Sequence, residues 1–321
     1  YNLSYSTLRK FMASINTKDQ VAVCSRSFSK NLTLRKELLN QYKKVTFNDE
    51  GLKLQGDSLI AFLRGHQKAI TALETIDDYV LSQLPELNVI SKFGVGIDMI
   101  DVKAISKHGK KFGWTGGVNK RSVSELVISF AIALLRHVPA SNREVISGTW
   151  RQHVGGQLSG RVIGVIGCGH IGKDLIKLLQ PFECSILVND IRKYKDFYKK
   201  YNVEYIEIEE LLKRSDIVTL HVPLDESTKD MLTVDRLALM KKSAILINLA
   251  RGGLVDEIAL KNMLIDKRLS GAAFDVFLEE PPQDQELLSL PNFLVTPHIG
   301  GSSQEAILAM GRAAIQGLDV F

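Results

Sequence analysis

Cysteine is scarce in this sequence. The chain has three cysteines, Cys24, Cys168 and Cys184, and they lie far apart. Cysteines that bind a metal usually come in closely spaced pairs, and a disulfide framework needs an even number. The sequence therefore predicts neither a zinc site nor a disulfide framework, and no other metal site is expected. This cysteine usage fits a reducing cytoplasm.

Long hydrophobic runs are also missing. The most apolar stretch, residues 126–135, is about half as long as the roughly 20 residues that a membrane helix needs. We interpret it as a buried helix. The first twenty residues contain no apolar h-region, so we expect neither a secretory signal nor a membrane partner. The chain begins with Tyr1 rather than Met, and we expect its natural N-terminus to lie outside this sequence.

Charge is not concentrated in one sign or one place. The 41 lysines and arginines are scattered among 36 acidic residues, for a net charge of +5. Without a basic stripe, nucleic acid is not expected as a partner, although the surplus can mildly attract anionic substrates. With 8 prolines and 45% hydrophobic residues, the composition is that of a globular protein. A length of 321 residues predicts about two domains.

Residues 19–118 alternate short β-like runs with helical stretches, which is typical of a parallel sheet wrapped by helices. The predicted strands are 21–24, 45–47, 69–72 and 87–92. The predicted helices are 32–42, 58–64 and 79–84, with another beginning at Asp101. This order favours a flavodoxin-like half.

A long helix follows. Apolar residues recur at spacings of three and four from Ser122 to Val138, which predicts a helix that joins two domains. Beyond a loop-like segment, a second alternating stretch has predicted strands 162–166, 185–189, 217–222, 244–249, 272–276 and 293–296. Six strands with crossover helices indicate a Rossmann-type sheet. The fold class is therefore α/β, with two doubly wound parallel-sheet domains.

The first strand of this second stretch leads directly into a glycine motif, Gly167-x-Gly169-x-x-Gly172, and then into a helix over residues 171–179. Gly167 permits a tight turn, Gly169 lets the backbone approach a pyrophosphate, and Gly172 lets the helix pack closely on the sheet. The helix N-terminus offers N–H groups and partial positive charge to the phosphates. This context predicts a dinucleotide site.

Asp190 ends the next predicted strand, where a carboxylate accepts hydrogen bonds from the adenosine ribose. Because this carboxylate would repel a 2′-phosphate, it favours NAD over NADP. Arg192 and Lys193 follow closely and can soften that preference, or are surface charges at a strand end. Within the loop, Cys168 and His170 need no chemistry of their own, since backbone amides hold a pyrophosphate there.

Three later segments each end a predicted strand in a charged residue. Arg251 lies in segment 246–253, Glu280 in 274–282 and His298 in 295–301. Ligands of open parallel sheets bind at the carboxyl ends of the strands. An arginine, a carboxylate and a histidine delivered to that edge predict an active site.

The order and surroundings of these segments resemble the D-isomer-specific 2-hydroxyacid dehydrogenase family, which includes phosphoglycerate, glycerate and D-lactate dehydrogenases. Segments 93–101, 119–126 and 220–224 also resemble family segments in family order, so the resemblance covers roughly residue 87 to the end. It implies a Rossmann NAD domain, residues 119–299, inserted in a flavodoxin-like substrate domain, residues 1–118 and 300–321. No C-terminal regulatory domain is expected in the chain as given.

The resemblance also implies roles for individual residues. Arg251 would bind the substrate carboxylate and its 2-oxygen through its two-pronged guanidinium. His298 would be the general acid in keto-acid reduction and the base in the reverse reaction, since an imidazole has an unperturbed pKa of about 6.5. Glu280 would orient that imidazole and favour its charged form. The family places the acidic residue directly before proline, which selects Glu280 over Glu279.

Asp275 would accept a hydrogen bond from the nicotinamide carboxamide. Val95 and Gly96 resemble the family's loop that offers backbone N–H groups to the substrate carboxylate, with substrate in a cleft between the domains. Lys92 would be a cation near a substrate phosphate, or else an exposed lysine without a ligand. The remaining cofactor contacts that the resemblance implies are His170, Ile171, Ile191, His221, Val222, Pro223, Thr228, Ala250, His298 and Gly300.

Several alternatives remain open at this point. Lys92 gives 3-phosphoglycerate or phosphohydroxypyruvate a lead over glyoxylate and hydroxypyruvate as substrate. Glu280 and Val95 argue against the formate and phosphite dehydrogenases of the same fold. A second class is the family's NAD-binding transcriptional co-repressors, and the absence of a recognisable peptide-binding extension favours the enzyme. The resemblance implies a homodimer, since the helix from Ser122 to Val138 and the arm after it form the two-fold interface in the family.

Overall fold

The computed structural model describes residues 16–319, and these residues form two compact units. Unit 1 comprises the residues up to Asn119 together with those from Gln304 onward, and unit 2 is Lys120–Ser303. We predict a substrate role for residues 1–118 and 300–321 and an NAD role for residues 119–299. These two roles stay predictions. The expected absence of a signal concerns residues 1–20, of which the first fifteen lie outside the described residues.

Unit 1 is built on a five-stranded parallel sheet in the order β2-β1-β3-β4-β5. This is the flavodoxin-like order that the sequence predicts. The strands are β1 (Asn16–Val23), β2 (Tyr42–Phe47), β3 (Lys68–Thr71), β4 (Val89–Lys92) and β5 (Lys111–Gly113). The helices are α1 (Arg26–Lys30), α2 (Leu32–Leu39), α3 (Gly56–Leu63), α4 (Asp78–Ser82), α5 (Val102–Lys107) and, from the end of the chain, α14 (Gln304–Gly317).

The core of unit 1 lies on both faces of this sheet. Along β1, Val21 and Val23 pack into one hydrophobic cluster and Ala22 into the other, as the two-residue period of a strand requires. The first cluster is completed by Ile315 from α14. That helix lies close against β5, because a Cβ added to Gly113 would come within 2.1 Å of the Gly317 carbonyl oxygen. Only glycine fits this backbone contact.

Unit 2 is built on a seven-stranded parallel sheet in the order β12-β11-β10-β9-β6-β7-β8, the Rossmann order with one further strand. The strands are β6 (Val162–Ile166), β7 (Ser185–Asn189), β8 (Val203–Tyr205), β9 (Ile217–Leu220), β10 (Ile245–Asn248), β11 (Gly271–Phe274) and β12 (Phe293–Val295). The helices are α6 (Lys120–Leu135), α7 (Val138–Ile146), α8 (His170–Leu179), α9 (Lys195–Lys200), α10 (Ile208–Arg214), α11 (Val234–Ala238), α12 (Glu257–Ile265) and α13 (Gln285–Ser289).

The prediction of one helix from Ser122 to Val138 is wrong at its end. The chain leaves α6 after Leu135, passes His137 in a left-handed conformation and starts α7 at Val138, with Pro139 in its first turn. Proline lacks the N–H that a continuous helix would need at that point. The Leu135 carbonyl instead accepts a hydrogen bond of 2.9 Å from the Gly156 N–H.

Other bounds also needed correction. The predicted helix 32–42 ends at Leu39, and Tyr42 begins β2 as a fully buried side chain. The predicted set of six strands in unit 2 lacked β8, and the unit 1 prediction lacked β5 and α1. These three elements have three to five residues, too short for a periodic pattern to show.

Across residues 16–319, no single helix is long and apolar enough to cross a membrane. By length and composition, α6 and α7 are long and apolar enough only when they are taken together, and a bend of 61° separates them. Helix α6 packs Val123, Val127 and Phe130 against the sheet of unit 2, as a core helix does.

Candidate active site

The glycine motif forms the turn between β6 and α8. Gly167 has φ +98°, and a Cβ added there would come within 2.5 Å of the His221 carbonyl oxygen. A Cβ on Gly172 would come within 2.2 Å of the Gly167 carbonyl oxygen. Gly169 differs, because nothing lies within 4 Å of its added Cβ. Two glycines are therefore required by packing inside the protein, while the third faces open space.

The turn after β7 holds Asp190 against this glycine loop. One carboxylate oxygen of Asp190 accepts the Cys168 N–H at 2.5 Å, and the other accepts the Arg192 N–H at 2.7 Å. The neighbouring Ile191 side chain is 99% exposed. An ordered carboxylate and an exposed apolar side chain thus lie side by side next to the glycine loop.

The segment that follows β9 is held by hydrogen bonds between its own residues. Thr228 Oγ1 donates to the Pro223 carbonyl at 2.7 Å and accepts the Asp225 N–H at 2.8 Å. His221 Nε2 lies 3.0 Å from Thr219 Oγ1, and burial lowers the pKa of His221 to about 3. Within the described residues the other ring nitrogen of His221, Nδ1, is buried without a hydrogen-bond partner. Burial of the ring therefore favours the neutral imidazole.

Arg251 follows β10 on a turn that Asn248 organises. The buried Asn248 side chain accepts the Ala250 N–H at 3.0 Å and donates to the Arg251 carbonyl at 2.8 Å. The Arg251 guanidinium donates through Nη1 to the Ala250 carbonyl at 2.7 Å. Asn248 was not among the predicted site residues. The only sign of it in the sequence is a polar residue within an apolar strand.

The Arg251 turn also contacts the segment after β11. A Cβ added to Gly252 would come within 1.9 Å of the Phe277 carbonyl group. Only glycine allows this approach of two backbones. It joins the arginine turn to the loop that carries Glu280.

Asp275 lies at the end of β11 and is buried. Its carboxylate accepts the Ile299 N–H and the Gly300 N–H, each at 2.7 Å, and the Thr296 hydroxyl. These contacts clamp the loop after β12, in which His298 has a left-handed backbone with φ +55°. The structure therefore gives Asp275 a loop-holding role, which is distinct from the nicotinamide contact that we expected.

His298 and Glu280 form an imidazole–carboxylate pair. His298 Nδ1 lies 2.9 Å from Glu280 Oε2, and Glu280 Oε1 accepts the Phe277 N–H at 3.2 Å. Both side chains of the pair are partly open to solvent, with about half of His298 exposed. Glu280, rather than its neighbour Glu279, is thus the residue that contacts the imidazole. Since β10, β11 and β12 are adjacent and parallel, Arg251, Glu280 and His298 lie beyond the same edge of one sheet.

Unit 1 carries the residues predicted for substrate binding. After β4, Gly94 has φ +125° and the Val95 carbonyl accepts the Trp114 indole N–H at 2.9 Å. Lys92 is buried, and its ammonium donates to the carbonyls of Ala72 and Phe93. The alternative of an exposed lysine without a ligand is therefore wrong, and the predicted role of Lys92 near a substrate phosphate stays a prediction.

No cluster of three or more His, Cys, Asp or Glu side chains in residues 16–319 is arranged to hold a metal ion.

Comparison with known proteins identifies several relatives. A family model, the NAD-binding domain of the D-isomer specific 2-hydroxyacid dehydrogenases, matches residues 128–300. The chain is 40% identical over 235 residues to a D-3-phosphoglycerate dehydrogenase of Methanocaldococcus jannaschii, covering 72% of this chain but 45% of the relative. It is 33% identical over 296 residues to a glyoxylate reductase of Pyrococcus horikoshii, covering 89% of this chain and 88% of the relative.

A solved structure from Polaromonas, described as a D-isomer specific 2-hydroxyacid dehydrogenase, is also similar. It has a TM-score of 0.86 at 29% identity and covers 94% of this chain and 95% of its own.

Proposed function

Because this chain belongs to the D-isomer specific 2-hydroxyacid dehydrogenase family and carries its NAD-binding domain, we propose that it transfers a hydride between NAD(H) and a small D-2-hydroxy acid or the matching 2-keto acid. The observation that carries this proposal is the contact of 2.9 Å between His298 and Glu280 beyond the same sheet edge as Arg251.

The residues of unit 2 fit a dinucleotide. The open side of Gly169 leaves room for a pyrophosphate, and α8 directs its first N–H groups to that place. Asp190 lies where an adenosine ribose is recognised, and the exposed Ile191 suits one face of an adenine. The unpartnered Nδ1 of His221 suits a polar group of the cofactor. When bound, NADH supplies the hydride.

The catalytic roles follow from chemistry and position. Arg251 binds the substrate carboxylate and stabilises the charge that develops on the 2-oxygen. His298 gives a proton to that oxygen in reduction and takes it back in oxidation. Glu280 orients the imidazole and stabilises its protonated form. The Val95–Gly96 loop of unit 1 is proposed to bind the substrate carboxylate through its N–H groups.

For the substrate, we propose an unphosphorylated 2-keto acid such as glyoxylate or hydroxypyruvate. The preference for a phosphorylated acid depended on Lys92. The Lys92 ammonium donates hydrogen bonds to two backbone carbonyls. The relative named glyoxylate reductase matches this chain over 88% of its own length, whereas the one named phosphoglycerate dehydrogenase matches over 45% of its own length.

A panel of 2-keto acids, including phosphohydroxypyruvate, tests this proposal. The loss of NADH or NADPH absorbance is followed for each acid. We expect turnover of glyoxylate or hydroxypyruvate with NADH, and faster turnover of phosphohydroxypyruvate would overturn the substrate assignment. Binding of NADH without turnover of any acid would instead point to a regulatory NAD-binding protein.

We also propose a homodimer with a cytoplasmic location. Helix α7 buries none of its residues, and Ile146 at its end and Trp150 and Val154 beyond it are strongly exposed apolar side chains. A second copy of the chain would cover them. Light scattering at micromolar concentration tests the assembly, and a mass of one protomer, 35.7 kDa, would contradict it.

A further inference from the structure

Two tyrosine hydroxyls hold the backbone of the turn that follows β7. Tyr205, in β8, donates to the Asp190 carbonyl at 3.1 Å, and Tyr198, in α9, donates to the Arg192 carbonyl at 3.2 Å. The two rings stack with centroids 6.1 Å apart. Both ends of the turn from Asp190 to Arg192 are thus fixed from the same aromatic cluster.

The same backbone turn also fixes the position of the Asp190 carboxylate. Its two oxygens accept the Cys168 and Arg192 N–H groups, so any displacement of the Arg192 backbone withdraws one of the two donors. The Tyr198 hydroxyl also faces the Cys168 thiol, which links the turn to the glycine loop. The carboxylate therefore keeps its position only while the turn keeps its shape.

Two lysines near the glycine loop and this turn lie over aromatic rings. The Lys193 ammonium lies 4.5 Å from the centre of the Tyr205 ring, and the Lys173 ammonium lies 3.2 Å from that of Tyr194. A cation over an aromatic face is stabilised there. Such cations are less available to neutralise a 2′-phosphate near Asp190, which is how NADP-binding sites accept that group.

We propose that Tyr198 and Tyr205 are positioning residues that set the preference of this chain for NAD over NADP. They do so by fixing the turn that presents Asp190, and neither needs to touch the cofactor. Repulsion of a 2′-phosphate is greatest when the carboxylate cannot rotate away, so loosening the turn relaxes the discrimination. This inference rests on the proposed function, since it requires a bound dinucleotide.

The test compares two nucleotides that differ only in the 2′-phosphate, AMP and adenosine 2′,5′-bisphosphate. Their Kd values are measured by calorimetry, so the result does not depend on the keto acid. Wild type should bind AMP more tightly. In the double variant Tyr198→Phe/Tyr205→Phe, we expect the ratio of the two Kd values to move about tenfold toward the bisphosphate, because the loosened turn lets the carboxylate move away from the 2′-phosphate.

Two further variants calibrate this change. Asp190→Asn removes the repelling charge and should move the ratio in the same direction and further. Tyr201→Phe removes a hydroxyl from the same aromatic cluster outside the turn and should leave the ratio unchanged. If the double variant does not fold, Tyr205→Phe alone is used, because its ring still packs on Tyr198 and Lys193.

An unchanged ratio in a folded tyrosine variant, or equal weakening of both nucleotides, would overturn the inference and leave the proposed function intact. A wild-type protein that binds neither nucleotide would instead count against the proposed cofactor site itself.

Discussion

His298 Nδ1 lies 2.9 Å from a carboxylate oxygen of Glu280, whose other oxygen accepts the Phe277 N–H at 3.2 Å. The imidazole is thereby oriented by a carboxylate that is itself tied to the backbone. In the proposed reaction, the second ring nitrogen, Nε2, would transfer the proton.

The first prediction concerns Glu280→Gln, which preserves the shape of this side chain but removes its charge. Without the carboxylate, the protonated imidazole is less stable, and reduction requires that form. We expect kcat for keto-acid reduction to fall about tenfold to a hundredfold. The pH at which reductive activity is half lost should also move down. The matched control is Glu279→Gln, and an equal loss in the two variants would contradict the assigned role.

A second prediction concerns Arg251→Lys. Lysine keeps the positive charge but loses the planar pair of donors that suits a carboxylate and its neighbouring oxygen. We expect kcat/KM to fall by about two orders of magnitude or more, while the Kd of NADH changes less than about twofold. Steady-state kinetics and fluorescence titration measure the two quantities. Arg268→Lys, on the surface beyond α12, should behave as wild type; a full-activity Arg251 variant would refute the assignment.

Gly169→Ala and Gly167→Ala should separate cofactor binding from folding. An alanine Cβ at 169 meets only open space and should leave the Tm of the free protein nearly unchanged. The same methyl group would occupy the place proposed for the pyrophosphate, so we expect NADH affinity to fall at least about tenfold. At 167, with φ +98° and the His221 carbonyl 2.5 Å away, the Tm itself should fall. Undiminished NADH binding by Gly169→Ala would exclude this place for the pyrophosphate.

Asp275→Asn should lower the stability of the free protein. The amide NH₂ cannot accept a hydrogen bond, so at least one donor from the His298 loop loses its acceptor. We expect a loss of about 1–3 kcal/mol in the free energy of unfolding, together with a lower kcat. Urea denaturation without cofactor is the decisive measurement. If Asp275 acted only on the nicotinamide, this stability would not change.

His221 should make the protein sensitive to mild acid. Burial lowers its pKa to about 3 in the folded state, whereas an unfolded histidine titrates near 6.5. As the pH falls below about 6.5, the unfolded chain takes up a proton that the native state refuses, so stability is lost progressively down to about pH 3.

Relative to His221→Asn, wild type should therefore lose about 2 kcal/mol more on going from pH 7 to pH 5. Urea denaturation at the two pH values measures the difference. The exposed His170, replaced by Asn, serves as the control, and parallel losses in all three proteins would refute the prediction.

The sequence predicted the long apolar elements best. Strands β6 and β7 have the predicted bounds because each is a nearly continuous apolar run that ends in a polar turn. The three-residue strands β5 and β8 contain Lys111 and Glu204 and carry no such signal. Their positions depend on pairing with β4 and β7, which no local pattern encodes.

The candidate site shows the same limit. Charged residues at strand ends pointed to Arg251, Glu280 and His298, because strand ends are where ligands bind in such sheets. Their supports, Asn248 and Asp275, are identified only by their partners in space. The burial of Lys92 was likewise not predictable, since a lysine at the end of a strand usually reaches solvent.

Because α14 belongs to unit 1, the two units are completed at different times during synthesis. Unit 2 is one continuous stretch of chain, so a ribosome delivers all of it before translation ends. Unit 1 is completed later. Ile315 and Gly317, which close its core, the latter by its contact with Gly113, are synthesised after every residue of unit 2. A nascent chain halted before Gln304 would lack the α14 side chains that cover the apolar cluster around Val21 and Phe28.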